Sequence, residues 1–206
     1  MSSLYLQGLK HGDTQMTATG LATAGLFYLI SIAKPLPNLS EAKPPGSVFE
    51  ASVIFSIFGQ FSVHLACLLA VLFLCNWRFG GVDPLLEGSY SLSDSHFHPN
   101  LVNSAVYLLY TTIQVNNFFV NYRGTPFTEN IWDNRMLSCS FLAVYLFILV
   151  LVSDSVEPLN SLLQLVPFPS LQFKSLLALA LLSDFLLALA VEKISQQLET
   201  KAGRAP

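Results

Sequence analysis

Mostly apolar runs, nearly free of charge, recur along the chain at about Thr14 to Ala33, Ala51 to Cys75, Leu101 to Tyr122, Met136 to Ser153 and Ser170 to Val191. A hydrocarbon slab about 30 Å thick takes roughly 20 such residues in helical form, so each run is long enough to cross. Helix is the expected form, because a backbone amide in lipid must be paired within its own segment unless a closed barrel forms, and these runs lack barrel alternation. The pattern predicts an all-α, polytopic membrane helix bundle with five transmembrane helices.

The segments between the runs punctuate well. Lys34-Pro35-Leu36-Pro37 and Lys43-Pro44-Pro45-Gly46 break any helix between the first two spans, since proline removes a donor and fixes its own backbone angle. The polar, turn-rich stretch 76–100 carries Asp83-Pro84, Glu87-Gly88 and His98-Pro99. The stretch 154–169 holds Leu162, Leu163, Leu165, Val166 and Phe168, a composition suited to the membrane interface. Neither loop is large enough for a catalytic domain. No basic region precedes the first run, so a removable leader is not expected.

An odd number of spans puts the termini on opposite sides. With the amino terminus away from the cytosol, seven of the ten basic residues (Lys34, Lys43, Arg123, Arg135, Lys193, Lys201, Arg204) become cytosolic, and Lys10, Arg78 and Lys174 do not. Stretches 76–100 and 154–169 are then luminal loops and 192–206 a cytosolic tail. Trp77, Tyr122 and Trp132 fall near span ends, where amphipathic rings prefer to sit. The acceptor sequon Asn38-Leu39-Ser40 would face the cytosol, so a glycan on Asn38 would invert this topology.

Composition agrees. Of 206 residues, 52% are apolar and 11% charged, about half the charged share of a soluble domain. A net charge of −3 supplies no cationic field for a phosphate backbone, so nucleic acid is not an expected partner. Cys67, Cys75 and Cys139 lie within the apolar runs and are expected to pack as small hydrophobes without a disulfide framework.

Polar residues inside the spans carry the remaining information. Asn103, Tyr107, Tyr110, Gln114, Asn117 and Asn121 follow at spacings of 4, 3, 4, 3 and 4, which keeps all six on one stripe of the third span. Such a stripe faces protein or water, either lining a pathway or hydrogen-bonding neighbouring helices. In the second span Ser52, Ser56, Gln60 and His64 form one face, beside Gly59, which admits a close neighbour. His64 could relay protons or pack. No ligand-spaced partner stands beside it, so no metal site is expected. Asp184 lies inside the last span without a basic residue one turn away and needs a partner from elsewhere or a proton of its own. Asp13 can cap the first span. The chain shows no glycine-rich phosphate loop, nucleophile elbow or HExxH, so no catalytic residue is assigned.

The stretch Leu4-Tyr5-Leu6-Gln7-Gly8-Leu9-Lys10, followed by Gly12-Asp13-Thr14-Gln15-Met16-Thr17-Ala18-Thr19-Gly20, resembles the passage between the fifth and sixth membrane helices of P-type ATPases of the fifth class, subgroup A, the endoplasmic-reticulum transmembrane-helix translocases. The resemblance continues through Gly59-Gln60-Phe61-Ser62-Val63-His64, Leu101-Val102-Asn103-Ser104-Ala105-Val106-Tyr107 and Asn121-Tyr122-Arg123-Gly124-Thr125-Pro126-Phe127-Thr128-Glu129, and ends at Leu182-Ser183-Asp184-Phe185. It departs at Pro44-Pro45-Gly46-Ser47, where the family usually has an asparagine-containing turn.

The resemblance implies that the spans are helices six to ten, the carboxy-terminal support half of the membrane domain, in a multi-pass protein of the endoplasmic reticulum membrane. It also implies a luminal amino terminus and a cytosolic carboxy terminus. Asp13, Gln15 and Thr17 become candidates for the luminal margin of a substrate cavity. Implied partners are the lipid bilayer, transmembrane helices as substrates, and the amino-terminal part of the ATPase. The DKTGT motif and the nucleotide-binding domain of the family would precede residue 1. ATP and magnesium are therefore implied for the full-length member only, and this chain is expected to be a fragment, a truncated reading frame or a short isoform without catalysis of its own. Two alternatives stay open: a stand-alone membrane assembly protein or regulator of the full-length ATPase, and a piece of a cation-transporting P-type ATPase.

Overall fold

In the structure, a computed structural model, residues 11–38, 46–78, 97 and 99–202 are described. Six α-helices follow in order: α1 (Asp13–Ser31), α2 (Ala51–Phe73), α3 (Leu101–Asn121), α4 (Arg135–Ser153), the short α5 (Glu157–Leu162) and α6 (Leu171–Ala202). A π-helical turn, Leu74–Arg78, extends α2. Among the described residues there is no strand, and Pro35 and Thr128 form an isolated bridge.

Helix starts are fixed by local chemistry. The Asn100 side chain accepts from the Asn103 amide at 2.7 Å and the Asn134 side chain from the Leu137 amide at 3.0 Å, each satisfying an amide that has no partner inside its helix. At α1 the Gly12 amide donates to Gln15 Oε1 at 3.2 Å. Asp154 ends α4 in the left-handed region, φ 59°.

Three helical stretches among the described residues are long and apolar enough to cross a membrane: Ala51–Asn76, Arg135–Ser153 and Leu171–Thr200. The two others expected to span, α1 and α3, fall short on composition. α1 carries Asp13, Gln15 and four threonines, and α3 carries four asparagines, Gln114 and two threonines. The cause in α3 is its position. It packs against α1, α2, α4 and α6 at once, so most of its faces meet protein. A helix walled in by others can keep amides that a lipid-facing one cannot.

α2 and α6 form the most extensive helix pair. Their approach depends on Gly59: a Cβ there would lie 2.6 Å from Val191 Cγ1. The main core lies between α2, α3, α4 and α6, around Val71, Leu108, Leu109, Leu151, Phe173 and Leu177. Leu26, Val115, Leu137 and Phe141 form a second cluster between α1, α3 and α4.

Elsewhere the structure departs from the sequence pattern. In the stretch 154–169, Leu163, Leu165 and Phe168 are buried in the core, while Leu162 is exposed. Cys67 and Cys75 are buried as expected, but Cys139 is exposed. Residues from 192 onward continue α6 through Ala202; at about 1.5 Å per residue its 32 residues run about 48 Å, well beyond a 30 Å slab. The turn-rich part of 76–100, the Leu4–Lys10 block and most of the Asn38-Leu39-Ser40 sequon lie outside the described residues.

The segment between α3 and α4 docks onto the end of α1. The Leu36 amide donates to the Phe127 carbonyl, the Glu129 amide to the Lys34 carbonyl at 3.0 Å, and the Lys34 amide to Glu129 Oε1. Gly124 permits this turn, because a Cβ there would sit 2.8 Å from Asn130 Oδ1 and 3.0 Å from Asn130 Cα.

Candidate functional site

Polar side chains of α3 run as a column through the bundle, and each level is met by a different neighbour. At mid-height, His64 of α2 places Nδ1 2.8 Å from Asp184 Oδ1 of α6 and Nε2 3.2 Å from Asn117 Oδ1. Asn116 Nδ2 donates to the second carboxylate oxygen of Asp184 at 2.8 Å, and Tyr145 of α4 donates to Asn116 Oδ1 at 2.9 Å. Asp184 is fully buried. His64 and Asn116 together give both carboxylate oxygens a hydrogen-bond partner, which is what a buried ionisable group requires.

Toward the end of α6 the column becomes acidic. Glu192, only 3% exposed, accepts from Ser56 at 2.6 Å, from Gln60 at 3.2 Å and from Gln196 at 3.1 Å. Gln60 and Asn121 pair reciprocally through both amide groups, at 2.9 and 3.0 Å. Arg123, just past α3, reaches Glu199 at 2.8 Å and Glu192 at 3.6 Å, so one guanidinium bridges two carboxylates about two turns apart on α6. Ser195 donates to the Ser52 carbonyl at 2.8 Å.

At the opposite end α1 joins the column. Gln15 Nε2 donates to Asn103 Oδ1 at 3.0 Å and to the Leu163 carbonyl at 3.1 Å, and the Thr19 and Thr111 hydroxyls lie 2.9 Å apart. Ser104 accepts from the Val166 amide at 2.9 Å. His11, ahead of α1, sits against the Tyr107 ring, centroids 6.4 Å apart, and the Tyr110 ring at 5.7 Å. Burial there lowers its pKa below the ordinary 6.5.

The residues singled out from the sequence therefore separate by level and by face. Of the substrate-cavity candidates, Asp13 and Thr17 share an exposed face of α1, and Gln15 is turned into the bundle. Of the third-span stripe, Asn103, Tyr107 and Tyr110 meet α1 and the residues just before it, while Asn117 and Asn121 meet α2. Gln114 lies half-buried between those levels. Gln60, His64 and Asp184 all enter the column. Sequence reasoning missed Asn116, Thr111, Tyr145, Arg123 and Glu192. Asn116 and Thr111 lie off the chosen stripe, and Glu192 falls one residue past the expected span end. Among the described residues no group of three or more His, Cys, Asp or Glu is placed to hold a metal ion.

The arrangement is a set of interhelical ties. α2, α3 and α6 are joined at two levels through ionisable groups, α4 through Tyr145, and α1 through amide and hydroxyl bonds only.

No protein-family model matches the chain. Among curated proteins it is 38% identical over 169 residues to "Probable manganese-transporting ATPase PDR2" of Arabidopsis thaliana, covering 82% of this chain and 14% of that protein. It is 32% identical over 198 residues to the endoplasmic reticulum transmembrane helix translocase spfA of Aspergillus fumigatus, covering 96% of the chain and 15% of that protein. The endoplasmic reticulum transmembrane helix translocase of Saccharomyces cerevisiae is 34% identical over 192 residues, 93% of the chain and 15% of the relative. The chain thus spans about a seventh of the length of the curated relatives it matches, with apolar helices suited to a lipid bilayer. By this match over most of its length, the chain belongs to the P-type ATPases of the fifth class, subgroup A.

Proposed function

We propose that this chain forms the carboxy-terminal membrane part, helices six to ten, of an ATP-driven translocase that removes misinserted transmembrane helices from the endoplasmic reticulum membrane. The observation that carries this reading is identity of 32% over 96% of the chain to a protein named for that activity. In it α1, α2, α3, α4 and α6 are five spans, the amino terminus is luminal, and the carboxy terminus is cytosolic, as the distribution of basic residues favours.

In the proposed division of labour, α2, α3, α4 and α6 act as one supporting body held by the polar column. α1 is attached to it by weaker ties and turns Asp13 and Thr17 outward toward the substrate cavity. The chain holds no phosphate-binding loop or phosphorylation motif, so ATP and magnesium belong to the rest of the protein and no step of ATP hydrolysis is assigned here.

A second reading, cation transport, is favoured by the printed name of the plant relative. Proteoliposomes of the full-length protein separate the two. ATP should release a misoriented reporter helix, with turnover set by helix supply. Manganese-dependent turnover and uptake without helix release would replace the first reading by the second.

A further inference from the structure

A cavity of about 500 Å³ opens between α3, α4 and α6. Its walls include Phe119, Leu142, Ile148, Ala178 and Phe185, and almost all of the lining is apolar. The outer wall is exposed: Leu142 and Leu149 of α4 are 59% and 56% exposed and Leu182 of α6 is 53%. α4 and α6 are two of the three helices long and apolar enough to cross a membrane, so this side of the bundle is suited to lipid.

The size limits the occupant. A helix about 10 Å across would fill 500 Å³ within about 6 Å of its length, barely one turn, so the slot cannot enclose a helix. It can enclose a flexible hydrocarbon chain. The polarity at one end adds a second constraint. Arg135, Ser138, Cys139, Leu142, Tyr145 and Leu149 form one stripe of α4, and all but Arg135 line the cavity. Arg135, exposed and in no ion pair among the described residues, heads that stripe. Trp132, 77% exposed, stands at the same mouth. A cation and an aromatic ring suited to the interface thus stand at the start of α4, ahead of an apolar slot.

We propose that this cavity is a binding site for a phospholipid with an anionic head group, one acyl chain lying between α3, α4 and α6 and the phosphate facing Arg135. The site is independent of the helix-translocation reading, because it rests on the cavity and its charge alone.

Photoactivatable lipids test it on the full-length protein in its own membrane. Two probes with the same diazirine acyl chain, one phosphatidylserine and one phosphatidylcholine, are cross-linked and the modified peptides mapped. The anionic probe should mark the 138–149 and 178–185 stretches more strongly than the equally lipid-exposed Phe55 to Phe61 face of α2. Arg135→Gln should lower anionic labelling about five-fold, as expected for one basic residue near a membrane surface, with Arg135→Lys retaining it. Arg135 is exposed, so folding is not at stake in that variant. Ala178→Phe, which fills the slot, should suppress labelling by both probes. Excess inorganic phosphate should not compete; competition by it would mean an ion site without a lipid and would overturn the proposal. So would labelling spread evenly over all exposed apolar faces, equal labelling by both probes, or cross-links from these residues to another protein segment.

Discussion

His64 Nδ1 lies 2.8 Å from Asp184 Oδ1, joining α2 to α6 across 120 positions of sequence. Because Asp184 is fully buried and the ion pairs of Arg123 and Lys174 go to other acids, the histidine is the one basic partner of this carboxyl among the described residues. Losing either side strands the other. An unpaired ionisable group at mid-membrane costs about 2.5–3.5 kcal/mol on insertion scales. His64→Leu or Asp184→Leu alone should therefore destabilise the bundle by about 2–3 kcal/mol. The double variant should cost less than the sum, with a coupling of about 1–2 kcal/mol in a thermal-unfolding cycle in detergent. Additive losses would mean that the pair is not a functional unit of packing.

Gly59 and Val191 offer a test of helix spacing that involves no charge. Alanine at 59 would place a methyl group 2.6 Å from Val191 Cγ1, and a valine in a helix has one strongly preferred rotamer, so the helices must part. Gly59→Ala should cost about 1–3 kcal/mol. Adding Val191→Ala should recover part of that, although Val191→Ala alone is destabilising. Equal melting temperatures for native protein and Gly59→Ala would contradict the close α2–α6 approach.

On α1 the two faces should answer differently. Gln15→Ala removes donors to Asn103 and the Leu163 carbonyl and should cost about 1–3 kcal/mol in stability. Thr17→Ala and Asp13→Asn, on the exposed face, should leave the melting temperature nearly unchanged and alter helix release by the full-length protein. If Thr17→Ala and Asp13→Asn leave helix release as it is, the cavity margin lies elsewhere.

His11 gives a pH test. Its pKa is lowered by burial beside Tyr107 and Tyr110, so the folded state favours the neutral ring. The stability it contributes is complete above 6.5, the ordinary histidine value, and is lost as pH falls through 6.5 toward the lower folded value. The melting temperature should fall between neutral pH and about pH 5, and His11→Phe should flatten that fall. An unchanged slope would assign it to other groups.

How much of this was legible beforehand depended on the range of the interaction. The helix starts at Asp13, Ala51, Leu101, Arg135 and Leu171 lie within a residue of the expected ones, because apolar runs and the capping Asn100 and Asn134 act locally. His64 and Asp184 each stood out as ionisable groups within apolar runs, yet nothing in either neighbourhood points to the other. Arg123 and Glu192 stayed hidden for a related reason: both fall just beyond the apolar runs, where charges are ordinary. For Gln15 the signal was present, since at about 100° per residue it lies about 200° around the helix from Asp13, whereas Thr17 returns to the same face. Asn116 breaks the single-stripe pattern because α3 has protein on several sides, and a one-face reading cannot describe a surrounded helix.

Replacing the corresponding segment of the yeast translocase by this chain and assaying ATP-driven release of a misoriented reporter helix tests the central claim most directly. The account predicts a chimera that forms its phosphoenzyme and releases the helix, and one that keeps the phosphoenzyme but loses release when His64→Leu is added. A correctly localised chimera that cycles with ATP and releases no helix would contradict it.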